Sequence, residues 1–407
     1  MRQTRLTLAR IDKVNPIRPD PFIIPDYRGG SIVNLMASIS RGLGGDDTGY
    51  ATLRDGMLND LSEARSILLL VVDGLGERYL QAQGQGGALI EHLRARLTSV
   101  CPSTTATAIP AFLTGVPPLQ HGFTGWFTWF SELGSQLTVL PFHTRLGGLL
   151  VPPAILSPAD LSGATPFSDR LPVASHILMP ERLSDSCFNR AFAGQAIRTG
   201  YRGLDGLAER IRQRINDSTG RNYLYAYWSE FDALAHEYGV GSMEAQDHLR
   251  LLDRFFSDLL LSLQGSDTAV LVTADHGFID TRPASRLRLE AHPQLASMLM
   301  MPLCGEPRLA FCYVDPPRHR AFEQYVAEHF SQEMQLYPSR RLLEEGWFGL
   351  GAPHPRLAER IGHYALVMRD DYCISGQIPG ERPLQHIGVH GGVSAAEMYV
   401  PLIYAHV

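Results

Sequence analysis

Residues 66–76 read "SILLLVVDGLG". After a single serine the run is uniformly aliphatic, which suits a strand buried on both faces better than one with a solvated side. It stops on Asp73, and the glycines at 74 and 76 let the chain turn sharply with a carboxylate at its head. Three further runs have the same character: "NYLYAYW" (222–228), "TAVLVTA" (268–274) and "MYVPLIYA" (398–405). Continuous rather than alternating hydrophobicity predicts a mostly parallel central sheet with helices on both faces. Helical patterns fall between the runs, in "ALIEHLRARL" (88–97) and "SMEAQDHLRLLDRFFSDLLLSL" (242–263). The fold class expected is therefore α/β.

The first three runs empty into polar clusters: "DGLG" from Asp73, "SEFDALAH" from Ser229, and "DHG" from Asp275. In open α/β sheets, ligands bind beyond the carboxyl ends of the strands, so chemistry is expected to converge there. Residues 281–385 break the pattern with proline-rich turns, a helix-like "RAFEQYVAEHFSQE", and the short pieces "LAFCYV" and "YALVM". The expected organisation is a catalytic core at 1–280 and 386–407, bracketing a smaller inserted α+β cap at 281–385.

Composition removes several function classes. The chain has 407 residues, of which 44 % are hydrophobic, and no run approaches the roughly 18 apolar residues of a membrane span. The opening "MRQTRLTLARIDKVNPIRPDPF" shows no apolar secretory segment, so a cytoplasmic location is expected. A net charge of -6 argues against non-specific nucleic-acid binding, which needs lysine and arginine to meet the phosphates. The five cysteines, Cys101, Cys187, Cys304, Cys312 and Cys373, form no CxxC pair, which argues against both a thiolate zinc site and a disulfide framework. Lys13 is the sole lysine. The body of the chain therefore lacks the lysine of a P-loop or a pyridoxal Schiff base.

Taken singly, the candidate ligands have ordinary structural readings. Asp73 could stabilise a turn, and His390, in "VHGGVSAAEMYVPL", could be a satisfied histidine. Asp232 and His236 stand four apart, on one face of a helical turn. Asp275 and His276 are adjacent at another strand end. Together all six fall at predicted strand ends or in the loop entering the last strand. Carboxylate and neutral imidazole suit zinc and related divalent ions, and six ligands suffice for two sites, the arrangement that clamps an in-line displacement at phosphorus.

"CPSTTATAIPAFLTG" (101–115) then gains a meaning. A helical pattern follows its threonines, so they sit near a helix N-terminus, which favours an anion. Ser103 or Thr104 can serve as the N-cap. Two divalent ions facing Asp73, Asp232 and Asp275 leave one surplus positive charge, which a Thr105 alkoxide would neutralise.

In order along the chain, "VVDGLG", "PSTTATAIPAFLTGVPPLQHG", "SEFDALAHEYG", "TADHGF" and "HGGVSAAEMYVPLI" resemble the alkaline phosphatase superfamily, and most of all its type I phosphodiesterase/nucleotide pyrophosphatase branch. The resemblance covers about 66–280 and 386–407. It implies a metal-dependent hydrolase of small phosphorylated substrates, acting through a phosphothreonine. Two divalent ions are implied, zinc first and manganese as the alternative. One would be held by Asp73, Thr105, Asp275 and His276, the other by Asp232, His236 and His390, with Thr105 selected as nucleophile by its distance from "LTG". The branch often carries a lysine before the nucleophile and an asparagine three residues after it. This sequence has Thr104 and Ala108 there, so the donor facing a non-bridging phosphate oxygen is unassigned. Diesters or phosphoanhydrides are the expected substrates. The alternatives are a phosphomonoesterase or phosphonate hydrolase on the same site, and a metal-binding protein that has lost activity. The aromatic stretch "GFTGWFTWF" (122–130) is expected either to wall the leaving-group pocket or to enter the core.

Overall fold

The computed structural model describes residues 22–381 and 385–407, so the reading of the amino terminus, Lys13 included, lies outside the described residues. The expected strand at the centre is Ser66–Val72, buried along its whole length. It pairs in parallel with Asn222–Trp228 on one side and Thr268–Thr273 on the other. Beyond Asn222–Trp228 the sheet continues, still parallel, through Ala174–Pro180 to Ile197–Tyr201. Side chains from both faces of this sheet enter one large apolar core. The helices Thr105–Thr114 and Met243–Ser262 contribute to it.

The sheet is mixed rather than uniformly parallel. Its last strand, Tyr399–His406, runs antiparallel to both Thr268–Thr273 and the edge strand Leu93–Thr98. The reason lies in the path: the chain enters this strand from the His390 loop, which already stands at the carboxyl edge, so it can only run back.

"ALIEHLRARL" also departs from expectation. Only Ala88–Glu91 is helical, and Leu93–Thr98 is an edge strand. Leu93, Ala95 and Leu97 alternate with Arg94, Arg96 and Thr98, a period of two that the leucine spacing had masked. The strand is completed by pairing with residues three hundred positions away.

A second seven-stranded sheet is antiparallel throughout, in the order Met334–Pro338, Tyr364–Met368, Leu309–Cys312, Cys304–Glu306, Phe127–Phe130, Ser135–Thr138, His143–Thr144. It combines residues 304–368 with residues 127–144, and Phe127 meets Gly305 at the join. Two smaller apolar cores lie against it. Among the described residues no helix is long and apolar enough to cross a membrane.

Candidate functional site

Register gathers the site. Val72 lies beside Trp228, and Val71 beside Thr273, so the segments leaving these strands start from one edge. Asp73 and Asp275 follow directly, and the helix Glu230–Tyr238 carries Asp232 and His236 from the third. Two glycines permit the crowding. At Gly74, with φ +77°, a Cβ would stand 2.4 Å from the Phe278 ring, and at Gly277 it would stand 2.0 Å from the Ala396 carbonyl oxygen.

The structure brings all seven candidates together. Thr105 Oγ1 lies 3.1 Å from His276 Nε2 and 3.5 Å from Asp73 Oδ1. His276 Nε2 is in turn 3.3 Å from Asp73 Oδ1 and 3.5 Å from Asp275 Oδ2. On the other side, His236 Nε2 lies 3.4 Å from Asp232 Oδ1 and 3.2 Å from His390 Nε2. The His276 and His390 rings stack at 3.7 Å between centroids, which joins the two halves. Asp73 with Asp275 and His276, and Asp232 with His276 and His390, each place ligand atoms within 4.8 Å of one another.

Hydrogen bonds fix which atoms face inward. His276 Nδ1 lies 3.1 Å from the Gly277 carbonyl and His236 Nδ1 2.9 Å from the Gly388 carbonyl. A carbonyl only accepts, so each Nδ1 carries the proton and each Nε2 presents a lone pair to the carboxylates. Asp275 Oδ1 accepts from the Gly74 and His276 amides, while its buried Oδ2 accepts nothing; nor does the buried Oδ1 of Asp232. Acceptors therefore face acceptors, an arrangement that a cation between them relieves.

Electrostatics agree. Burial, and then the charges of Asp232 and Asp275, hold the Asp73 carboxyl well above its usual range, although Tyr227 donates a hydrogen bond to it. Asp232 is pushed up to about 7, first by burial. Burial lowers His236 to about 4 and His390 well below its ordinary value, which keeps both imidazoles neutral. Carboxylates short of positive charge and imidazoles held in their ligand form fit a divalent-metal site.

Thr105 is the first residue of its helix, and Thr104 occupies the N-cap position in extended conformation. The Thr104 side chain caps nothing; its hydroxyl instead acts on Glu306, whose carboxyl it helps to lower. Ser103 is likewise diverted, donating to the Gly392 carbonyl at 2.6 Å. This ties the Thr105 segment to the His390 loop.

A cavity of about 800 Å³ opens beside Thr105, Asp232, His236 and His390. Trp126 and Phe127 line it, whereas Phe123 and Phe130 are fully buried core, so the aromatic stretch divides between the cavity wall and the core. Three wall residues escaped the sequence reading. The His386 ring lies 4.2 Å from that of His236. Glu306 accepts from the Trp126 amide at 2.6 Å, and burial lifts its carboxyl to about 8. Arg286 is the third. His386 had a signal, four residues before His390, but Glu306 and Arg286 reach the cavity only through long-range strand pairing.

The family described as type I phosphodiesterase/nucleotide pyrophosphatase matches residues 67–392. No curated protein matches the sequence. Among solved structures, murine ectonucleotide pyrophosphatase/phosphodiesterase 5 superposes with a TM-score of 0.62 at 15% identity, over 83% of this chain and 87% of that one. An inactive threonine-to-alanine variant of that protein, in complex with AMP, gives the same values. Phosphonoacetate hydrolase from Sinorhizobium meliloti 1021, in complex with phosphonoacetate, superposes with a TM-score of 0.59 at 15% identity, over 84% and 90%. These likenesses establish a shared fold.

Proposed function

The chain belongs to the type I phosphodiesterase/nucleotide pyrophosphatase family, within the alkaline phosphatase superfamily, and we propose that it is a two-metal hydrolase of phosphate esters that uses Thr105 as nucleophile. The observation that carries this reading is the facing of unprotonated Nε2 atoms and unsatisfied carboxylate oxygens around the Thr105 hydroxyl. Asp73, Thr105, Asp275 and His276 would hold one ion, and Asp232, His236 and His390 the other. When bound, the ions favour the ionised hydroxyl and offset charge on the oxygens around phosphorus. Thr105 Oγ1 forms a bond to phosphorus, and the bond from phosphorus to the leaving oxygen breaks with its electron pair. Water then cleaves the phosphothreonine and restores the hydroxyl. The first turn of the Thr105 helix directs amide hydrogens towards the transferred group. The Gly277 and Gly388 carbonyls keep His276 and His236 in their inward-facing tautomers.

Diesters or anhydrides are the proposed substrates. Thr104 rather than a lysine stands immediately before Thr105, and no arginine occurs between Arg96 and Arg145. A monoester dianion would thus lack the extra cation it needs at the transferred group. The AMP and phosphonoacetate complexes of the structural neighbours add nucleotides and phosphonates to the candidate substrates. The test is kcat/KM for bis(4-nitrophenyl) phosphate, 4-nitrophenyl phosphate, a nucleotide diester and a phosphonate, each with zinc, manganese or chelator. Zinc-dependent diester hydrolysis is expected. Full activity after exhaustive chelation would overturn the metal reading, and a tenfold monoester advantage would overturn the diester preference.

A further inference from the structure

The cavity is far larger than a phosphoryl group. Besides Thr105, Asp232, His236 and His390, its lining holds Arg145, Arg286 and Arg288. Arg145 is already committed. It donates to both oxygens of Glu381, at 2.7 and 3.0 Å, and to the Leu303 and Gly376 carbonyls, and its guanidinium lies 3.7 Å from the Phe127 ring centroid. It braces the wall.

Arg286 and Arg288 are different. They belong to the three-residue strand Arg286–Arg288, which pairs in parallel with Cys373–Ser375. Alternation sends Leu287 into the apolar core behind and both arginines to the cavity side. Arg286 donates to the Thr281 carbonyl at 3.3 Å, while its buried Nε has no partner. Arg288 has a distant acidic neighbour, Glu290, at 3.9 Å, whose carboxylate also accepts from the Gln377 amide. The two guanidiniums outweigh that single carboxylate, and an unpaired buried donor calls for an acceptor.

Both arginines lie on a strand that carries none of the seven proposed ligands, in the wall of the cavity that Thr105, Asp232, His236 and His390 share. We propose that Arg286 and Arg288 form a subsite for a second anionic group of the substrate, a carboxylate or a phosphate, carried beyond the scissile phosphorus. Guanidinium groups two residues apart on one strand, roughly 7 Å along the chain, offer planar two-pronged donors suited to either oxyanion. This inference rests on the proposed attack at phosphorus by Thr105.

The test uses three diesters that share 4-nitrophenolate as leaving group and carry ethyl, 2-carboxyethyl or 2-phosphoethyl as the second substituent. With the zinc-loaded full chain, kcat/KM for at least one charged diester should exceed that for the ethyl diester tenfold or more, and the stronger arm identifies carboxylate or phosphate. In Arg286→Gln/Arg288→Gln the ratio should fall below two. Arg288 is largely exposed, so Arg288→Gln alone should fold and lower the ratio at least threefold. A wild-type ratio near one, or a ratio that survives both substitutions, overturns the subsite. If no diester is hydrolysed, the proposed function fails separately, and calorimetry still decides the subsite. 3-Phosphonopropionate should bind at least tenfold more tightly than propylphosphonate, and the double variant should lose the difference; equal Kd values in the wild type overturn it.

Discussion

Arg308 and Glu397 form a fully buried two-pronged ion pair, with Nη2 2.9 Å from Oε2 and Nε 3.1 Å from Oε1. Arg308 immediately precedes the strand Leu309–Cys312 of the second sheet, and Glu397 lies just before the last strand of the first. Glu397 also accepts from the Gly392 amide at 2.8 Å and from the Ser394 hydroxyl at 2.6 Å. Burial alone would raise its carboxyl, but the Arg308 charge and these hydrogen bonds hold it below the usual range. The pair thus joins the second sheet to the turn that carries His390.

Removing one partner should be costly. Arg308→Met leaves Glu397 charged and buried, and the expected loss is ~3–5 kcal/mol in urea unfolding. Zinc affinity should fall as well, because the His390 turn loses its brace. The double substitution Arg308→Met/Glu397→Gln should be less destabilised than the two single changes combined; strict additivity would mean that the ion pair has no coupling.

Thr105→Ala should lower turnover by ~10³-fold or more, as removal of a nucleophile does, while metal content measured by mass spectrometry stays unchanged. Thr104→Val removes a hydroxyl that does not cap the helix and that helps to lower the Glu306 carboxyl. Its effect should be seen in activity, at about tenfold or less, and not in the ~1 kcal/mol stability loss of a missing cap. A Thr105→Ala protein within threefold of wild type would show that the nucleophile is misassigned.

Zinc titration should reach two ions per chain, with a rise in melting temperature that chelator reverses, since a ligand of the folded state stabilises it by mass action. His390→Ala should lose one ion and keep the other. One ion in the wild-type protein would argue against the division of ligands between two sites.

His121, which is not among the proposed metal ligands, supplies an acid-sensitive element. It is fully buried; its Nδ1 accepts from the Phe123 amide at 3.1 Å, so Nε2 carries the proton donated to the Thr107 carbonyl, 3.0 Å away. Burial lowers its pKa from 6.5 to about 3. A depressed histidine stabilises the fold above its ordinary pKa, and that contribution is lost as pH falls from about 6.5 towards 3. Melting temperature should therefore drop below pH 6.5, and His121→Gln, which does not titrate, should flatten the decline. Parallel curves for the two proteins would remove His121 from the acid response.

Much of the candidate site is legible because its candidate ligands sit at the ends of runs that physics marks locally. An aliphatic stretch such as Ser66–Val72 must be buried, and the polar residue that ends it must emerge at an edge. The runs that precede them therefore place Asp73, Asp232 and Asp275 at one edge of one sheet. The strand Leu93–Thr98 was less legible. Its leucines fit helical spacing as well, and only pairing with Tyr399–His406 decides between the two.

By itself, the sequence determined the buried parallel strands, the order of the acidic and histidine clusters, and the threonine at the head of a helix. These follow from hydrophobic runs and turn residues acting over a few positions. Tertiary structure alone decided the antiparallel last strand, the joining of Phe127–Phe130 to Cys304–Glu306, and the placing of Glu306, His386 and Arg286 around the cavity. Each depends on backbone hydrogen bonds and packing between segments far apart in the chain, and no short stretch of sequence specifies which distant partner will satisfy them.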